Sequence, residues 1–61
     1  MILRTTAAEV VVGDILLDKN GINRRLVWKT ETAFGWTTIF GVDNQVIHNS
    51  PSHRTVYTFV V

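Results

Sequence analysis

The glycines and the one proline of this chain fall singly, at Gly13, Gly21, Gly35, Gly41 and Pro51, and no segment between them shows a helical period. Turn formers spaced this way leave room for strands of about four to eight residues and exclude long amphipathic helices. The chain therefore reads as all-β, in one continuous unit without repeats or low-complexity tracts.

Size narrows the choice further. With 61 residues there is room for one small core, because a chain of this length buries only about 60% of the surface that its unfolded state exposes. Cysteine is absent, so neither a disulfide nor a thiolate metal site supports the fold, and close packing or self-association must do so. The hydrophobic share of 46% suits a globular domain and is too high for a disordered chain. Six Lys and Arg against five Asp and Glu leave a formal charge of +1. Nucleic-acid binding would then have to rest on a local patch, since bulk charge exerts little pull on phosphate. The longest apolar runs, Val10–Val12 and Ile15–Leu17, fall far short of the ~20 residues of a membrane helix. Thr5, Thr6, Glu9 and Asp14 interrupt any apolar segment of signal-peptide length. These features lead to the expectation of a soluble, cytoplasmic protein without membrane contact.

Along the chain, residues 1–5 can extend as a first strand, and Thr6 with Glu9 has the capping-box spacing that opens a helical turn. The β-branched run Val10–Val12 stops that turn, Gly13 supplies a positive φ, and residues 15–18 read as a strand. Asn20-Gly21 marks a tight reversal before Ile22. From Arg25 to Glu31 the residues alternate, which predicts one strand with Leu26, Trp28 and Thr30 inward and Arg25, Val27, Lys29 and Glu31 outward. A turn over residues 32–35 leads to a strand at 36–40, and residues 41–44 reverse the chain before another strand at 45–48. Residues 49–53 are rich in turn formers and read as a loop, and Arg54 to Val61 forms the last strand.

Five to six short antiparallel strands with one short helical turn near the N-terminus are best accommodated in a single SH3-like β-barrel spanning 1–61, because closing the sheet removes strand edges that would aggregate. An OB-fold needs a longer chain and a helix that has no counterpart here. The order Ala8-Glu9-Val10-Val11-Val12-Gly13-Asp14-Ile15-Leu16, then Asn20-Gly21, Arg24-Arg25-Leu26-Val27 and a loop from His48 to Pro51 resembles the small SH3-like proteins of actinobacterial phages. This resemblance implies the fold and a phage accessory role, and it implies no functional residue.

Candidate sites come from aromatic, basic and imidazole groups. Both faces of the last strand are apolar: Val56, Thr58 and Val60 on one, Tyr57, Phe59 and Val61 on the other. Trp36, Ile39 and Phe40 repeat this pattern. An apolar outer face needs a cover, either the N-terminal turn through Ala7, Val10 and Val11, a second copy in a dimer, or a foreign protein. Trp36, Phe40, Tyr57 and Phe59 are therefore the candidate protein-binding residues. The alternative is a nucleic-acid-binding barrel in which Arg24, Arg25, Lys29 and Arg54, with Arg4 nearby, meet phosphates while Trp28 stacks on a base. Asp14, Asp18 and Glu31 would weaken that field. His48 and His53 lack the further ligands of a zinc site and the orienting acid of a Ser-His pair. No glycine cluster cradles a phosphate and no paired carboxylates stand at a catalytic spacing. The expected protein is a non-enzymatic interaction module without cofactor, metal or small-molecule substrate.

Overall fold

In the computed structural model of this protein, residues 1–18, 20–21 and 23–60 are described. The expectations for Ile22 and Val61 lie outside them. Seven strands are present among the described residues: β1 Ile2–Thr6, β2 Ile15–Leu17, β3 Arg24–Leu26, β4 Lys29–Ala33, β5 Trp36–Phe40, β6 Val46–Pro51 and β7 Thr55–Phe59. They form two antiparallel sheets, of order β1-β7-β2-β3 and β4-β5-β6. The protein is a small all-β globule consistent with an SH3-like fold, but its barrel is open. No ladder among the described residues joins the two sheets, so the closed cylinder expected from the strand pattern is not formed. No helix among the described residues is long and apolar enough to cross a membrane.

The strand expected over 25–31 is two strands. Val27 still belongs to the larger sheet's end, where Gly13 N–H donates to its carbonyl at 3.0 Å and its own N–H donates to Asp14 O at 2.8 Å. Trp28 N–H instead donates to Phe40 O, in the smaller sheet, at 2.9 Å. A strand that changes sheets bends, and its alternation slips by one residue at the corner. Val27 is consequently buried at 1% exposure, while Leu26 at 50% and Trp28 at 56% point outward, the reverse of the expected inward pair. Beyond the corner the expected phase holds: Thr30 is half-buried, and Lys29 and Glu31 are exposed and paired at 3.1 Å.

The second correction concerns residues 49–51, which continue β6 instead of forming a loop; the turn comes at Ser52 and His53. β6 is an edge strand of its sheet, where a proline removes no ladder bond. Asn49 is held there by its side chain, whose Oδ1 accepts from Trp36 Nε1 and from Thr38 Oγ1. A bulge in the β5–β6 ladder beside Phe40 lets Ile47 turn toward the core.

The core consists of Ala7, Val10, Leu16, Val27, Ile39 and Val56, with Ile47 packed against it. The capping-box residues do meet, Thr6 Oγ1 donating to Glu9 Oε1 at 2.8 Å, but the turn they open is a single 3₁₀ turn, Ala7–Glu9. Backbone bonds from Ala7 to Arg54 O and from Ala8 to Ser52 O anchor this turn at the mouth of the barrel. Gly13 adopts φ +98°, and Val11 N–H donates to Asp14 Oδ2 at 3.0 Å, which makes the Gly-Asp corner the side-chain-capped turn its sequence indicates.

The β4–β5 hairpin closes through Phe34 and Gly35, both at positive φ. A two-residue hairpin turn of this hand favours Asn or Gly at its first position. Phe34 occupies it at φ +53° with its ring fully exposed, a conformation that strains a bulky residue. Phe34→Asn should therefore stabilise the fold by about 1 kcal/mol, seen as a melting temperature roughly 4–8 °C higher. An unchanged or lower melting temperature would contradict the strain.

Candidate functional site

In the larger sheet, register decides which side chains share a face. The ladder aligns Ile2, Phe59, Ile15 and Leu26 in one row across all four strands, and Arg4, Tyr57, Leu17 and Arg24 in the next. Both rows occupy the face opposite that of buried Val56, Thr58 and Leu16, although Leu17 in the second row is itself buried. The outcome is an apolar band bounded at both ends by arginine. Ile2 and Leu26 are exposed, Tyr57 is 40% exposed, and Phe59 and Ile15 are half-buried. The Arg24 guanidinium lies over the Phe59 ring, 4.4 Å from its centroid, a cation–π contact that draws the charge in from the edge strand onto the apolar row. The outward positions of this ladder include two arginines and no carboxylate.

The apolar second face of the last strand is thus outward, as its alternation indicates, and the N-terminal turn does not cover it. Ala7 and Val10 are buried with Val56 on the inner side, and Val11 is exposed. The four candidate aromatics divide between two surfaces. Tyr57 and Phe59 stand on the outer face of the larger sheet, whereas Trp36 and Phe40 alternate with buried Thr37 and Ile39 and so occupy the outer face of the smaller one. Trp36 is half exposed with its indole N–H engaged by Asn49, and Phe40 is half-buried beneath Lys29 Nζ at 5.3 Å from its ring centroid.

The basic candidates scatter in the same way. Arg24 joins the apolar band, Lys29 is paired with Glu31, and Arg4 lies at the opposite end of the band from Arg24. Arg25 alternates to the inner side, where a cleft of about 490 Å³ between the two sheets brings it together with Arg54 and His48. Arg24, Arg25 and Trp28 also border a smaller hollow of about 310 Å³ beside Gly41 and Val42. His53 is exposed in the turn after β6. His48 lies 2.7 Å from Ser50 Oγ through its Nε2. Burial, and secondarily the charge of Arg54, hold its pKa below the ordinary value of 6.5.

That depression has a sign that can be tested. The unfolded chain takes up a proton near pH 6.5, while the folded one resists it to lower pH, so stability is full above that value and declines as pH falls through it. Arg25, Arg54, Tyr57 and Asp18 also line this cleft, and pH 7.5 and pH 5.5 bracket the ordinary imidazole value. Urea midpoints should fall between those two pH values, and His48→Gln should flatten the fall. A midpoint equally pH-dependent in the variant would exclude His48 as its source.

Two residues were missed by sequence reasoning. Leu26 reads as core from its alternation with Trp28, yet it completes the outer band, and no local signal reveals this because the sheet switch at Val27 rests on long-range hydrogen bonds. Phe34 was passed over as part of a turn, although a two-residue loop ending in glycine leaves its first side chain nothing to pack against. No protein-family model, no curated protein and no solved structure matches this chain.

Proposed function

We propose that this protein is a non-enzymatic interaction module that docks a protein partner on the outer face of its larger sheet. The observation that carries this reading is the row Ile2–Phe59–Ile15–Leu26, continuous across four strands and flanked by Arg4 and Arg24 without a carboxylate among the outward ladder positions. An apolar band on a small domain marks a surface that binds. The arginine rim selects a partner whose own apolar contact is bordered by Asp or Glu. Two copies meeting face to face would bring like-charged rims together, so a foreign partner is favoured over the homodimer that the apolar pattern alone suggests. A phage accessory role in the host cytoplasm belongs to the same proposal and rests on the sequence resemblance.

The test is selection from a random peptide library on the immobilised protein, with light scattering to measure its mass. Enriched peptides with apolar residues bordered by acids, bound to a monomer and released by Phe59→Ala, support the proposal. A dimeric mass lost on Phe59→Ala would replace the foreign partner with a second copy. Absence of enrichment together with a monomeric mass would refute docking on this face.

A further inference from the structure

We propose that the cleft between the two sheets is a nucleotide phosphate site, in which Arg25 and Arg54 hold the phosphate and Trp28, beside the adjoining hollow, offers a ring on which the base stacks. This site is distinct from the outer apolar band, and it stands or falls independently of that band's function.

The argument begins with where the open barrel puts charge. Arg25 occupies an inner-face position on β3, opposite buried Leu16 in the ladder. In a barrel sealed at this end such a position would take an apolar side chain, whereas here Arg25 lines an open cleft of about 490 Å³. That volume lies in the range of small-ligand sites. Arg54, in the turn that precedes β7, lines the same cleft and is close enough to His48 for its charge to act on the imidazole. Two guanidiniums lining one cleft are stabilised by an anion placed between them. Among the described residues neither arginine forms an ion pair; the one formed is Lys29–Glu31.

The acid that shares the cleft is committed elsewhere. Asp18 accepts the Asn20 N–H at 3.0 Å on Oδ1 and the Asn23 amide at 2.9 Å on Oδ2, which ties its carboxylate to the β2–β3 turn. Paired guanidiniums match phosphate oxygens in shape as well as charge, since each presents a planar fork of donors. His48 adds a further polar group on the opposite wall, and Leu16, Val56 and Ile47 supply apolar surface beside it.

The ring comes from the adjoining hollow. It shares Arg25 and Ile47 with the cleft and is bordered by Trp28, which is more than half exposed. A phosphate at Arg25 therefore has an uncovered indole nearby, and a base stacking on such a ring gains affinity without sequence preference. The same chemistry can come from a free nucleotide or from single-stranded nucleic acid, and ionic strength distinguishes them.

Adenosine monophosphate and a ten-nucleotide thymidine oligomer serve as probes, titrated into labelled protein and followed through the Arg side-chain and Trp28 indole resonances. Both sets of signals should move together. Arg25→Gln or Arg54→Gln should weaken binding at least tenfold and Trp28→Ala severalfold, while Arg4→Gln, on the other face, changes it less than twofold. Dispersed amide spectra establish that each variant is folded. Equal affinity for the two probes identifies a free nucleotide as the ligand. Tighter oligomer binding, with a logarithmic salt slope of about −0.7 for each phosphate held, identifies single-stranded nucleic acid. Unmoved resonances at millimolar probe, or an Arg4→Gln loss as large as that of Arg25→Gln, would overturn the site.

Discussion

Replacing Ile39 with alanine should remove about 2–5 kcal/mol of folding stability, read from urea unfolding monitored by circular dichroism. Ile39 is fully buried in β5, with half-buried Thr30 and His48 beside it in the ladder. It also belongs to a packed cluster of six buried hydrophobic residues among those described. Removing its branched side chain loses both the transfer free energy of the deleted atoms and the contacts across the void they leave. Globular domains hold roughly 0.05–0.15 kcal/mol per residue, so a 61-residue chain has little in reserve. The variant should lose a large fraction of that stability. Trp28→Ala deletes a larger side chain from an exposed position and should alter stability by about 1 kcal/mol or less. Were Trp28→Ala the more damaging change, the inward assignment of Val27 and Ile39 would be mistaken.

Phe59→Ala should weaken partner binding by at least about 2 kcal/mol, or roughly 30-fold, measured by titration calorimetry with a selected peptide. Phe59 is central in this respect, since it pairs in the ladder with both Ile2 and Ile15 and carries the Arg24 guanidinium on its ring. Its truncation would open a gap in the middle of the apolar row and leave Arg24 without its aromatic seat. Phe40→Ala supplies the contrast. That ring lies on the other sheet beneath Lys29, so binding should stay within about twofold. Equal losses for the two variants would mean that both sheets contact the partner and that the single-face reading fails.

The contrast between these aromatics shows how far the chain could be read in advance. Alternation in the last strand correctly set Val56 and Thr58 against Tyr57 and Phe59, because a strand hydrogen-bonded on both sides cannot change the phase of its side chains. Turn chemistry was equally legible at Gly13-Asp14 and at Gly35, where positive φ is a local requirement. The stretch from Arg25 to Trp28 was read in reverse, since its phase depends on hydrogen bonds to Asp14 and Phe40, partners 13 and 12 positions away from Val27 and Trp28. No periodicity within the segment carries that information. The same limit applied to the candidate aromatics: Tyr57 and Phe59 lie on the larger sheet, whereas Trp36 and Phe40, chemically alike, lie on the smaller one.

Local chemistry in this chain was sufficient to specify short strands, their turns and an excess of apolar surface, because each of these is settled within a few neighbouring residues. Tertiary structure alone decided that the barrel stays open, that Leu26 faces out while Val27 faces in, and that Arg25 parts from Arg24 to meet Arg54. Those outcomes depend on which strands pair and where the backbone crosses between sheets, and such long-range hydrogen bonds leave no periodic trace in the sequence.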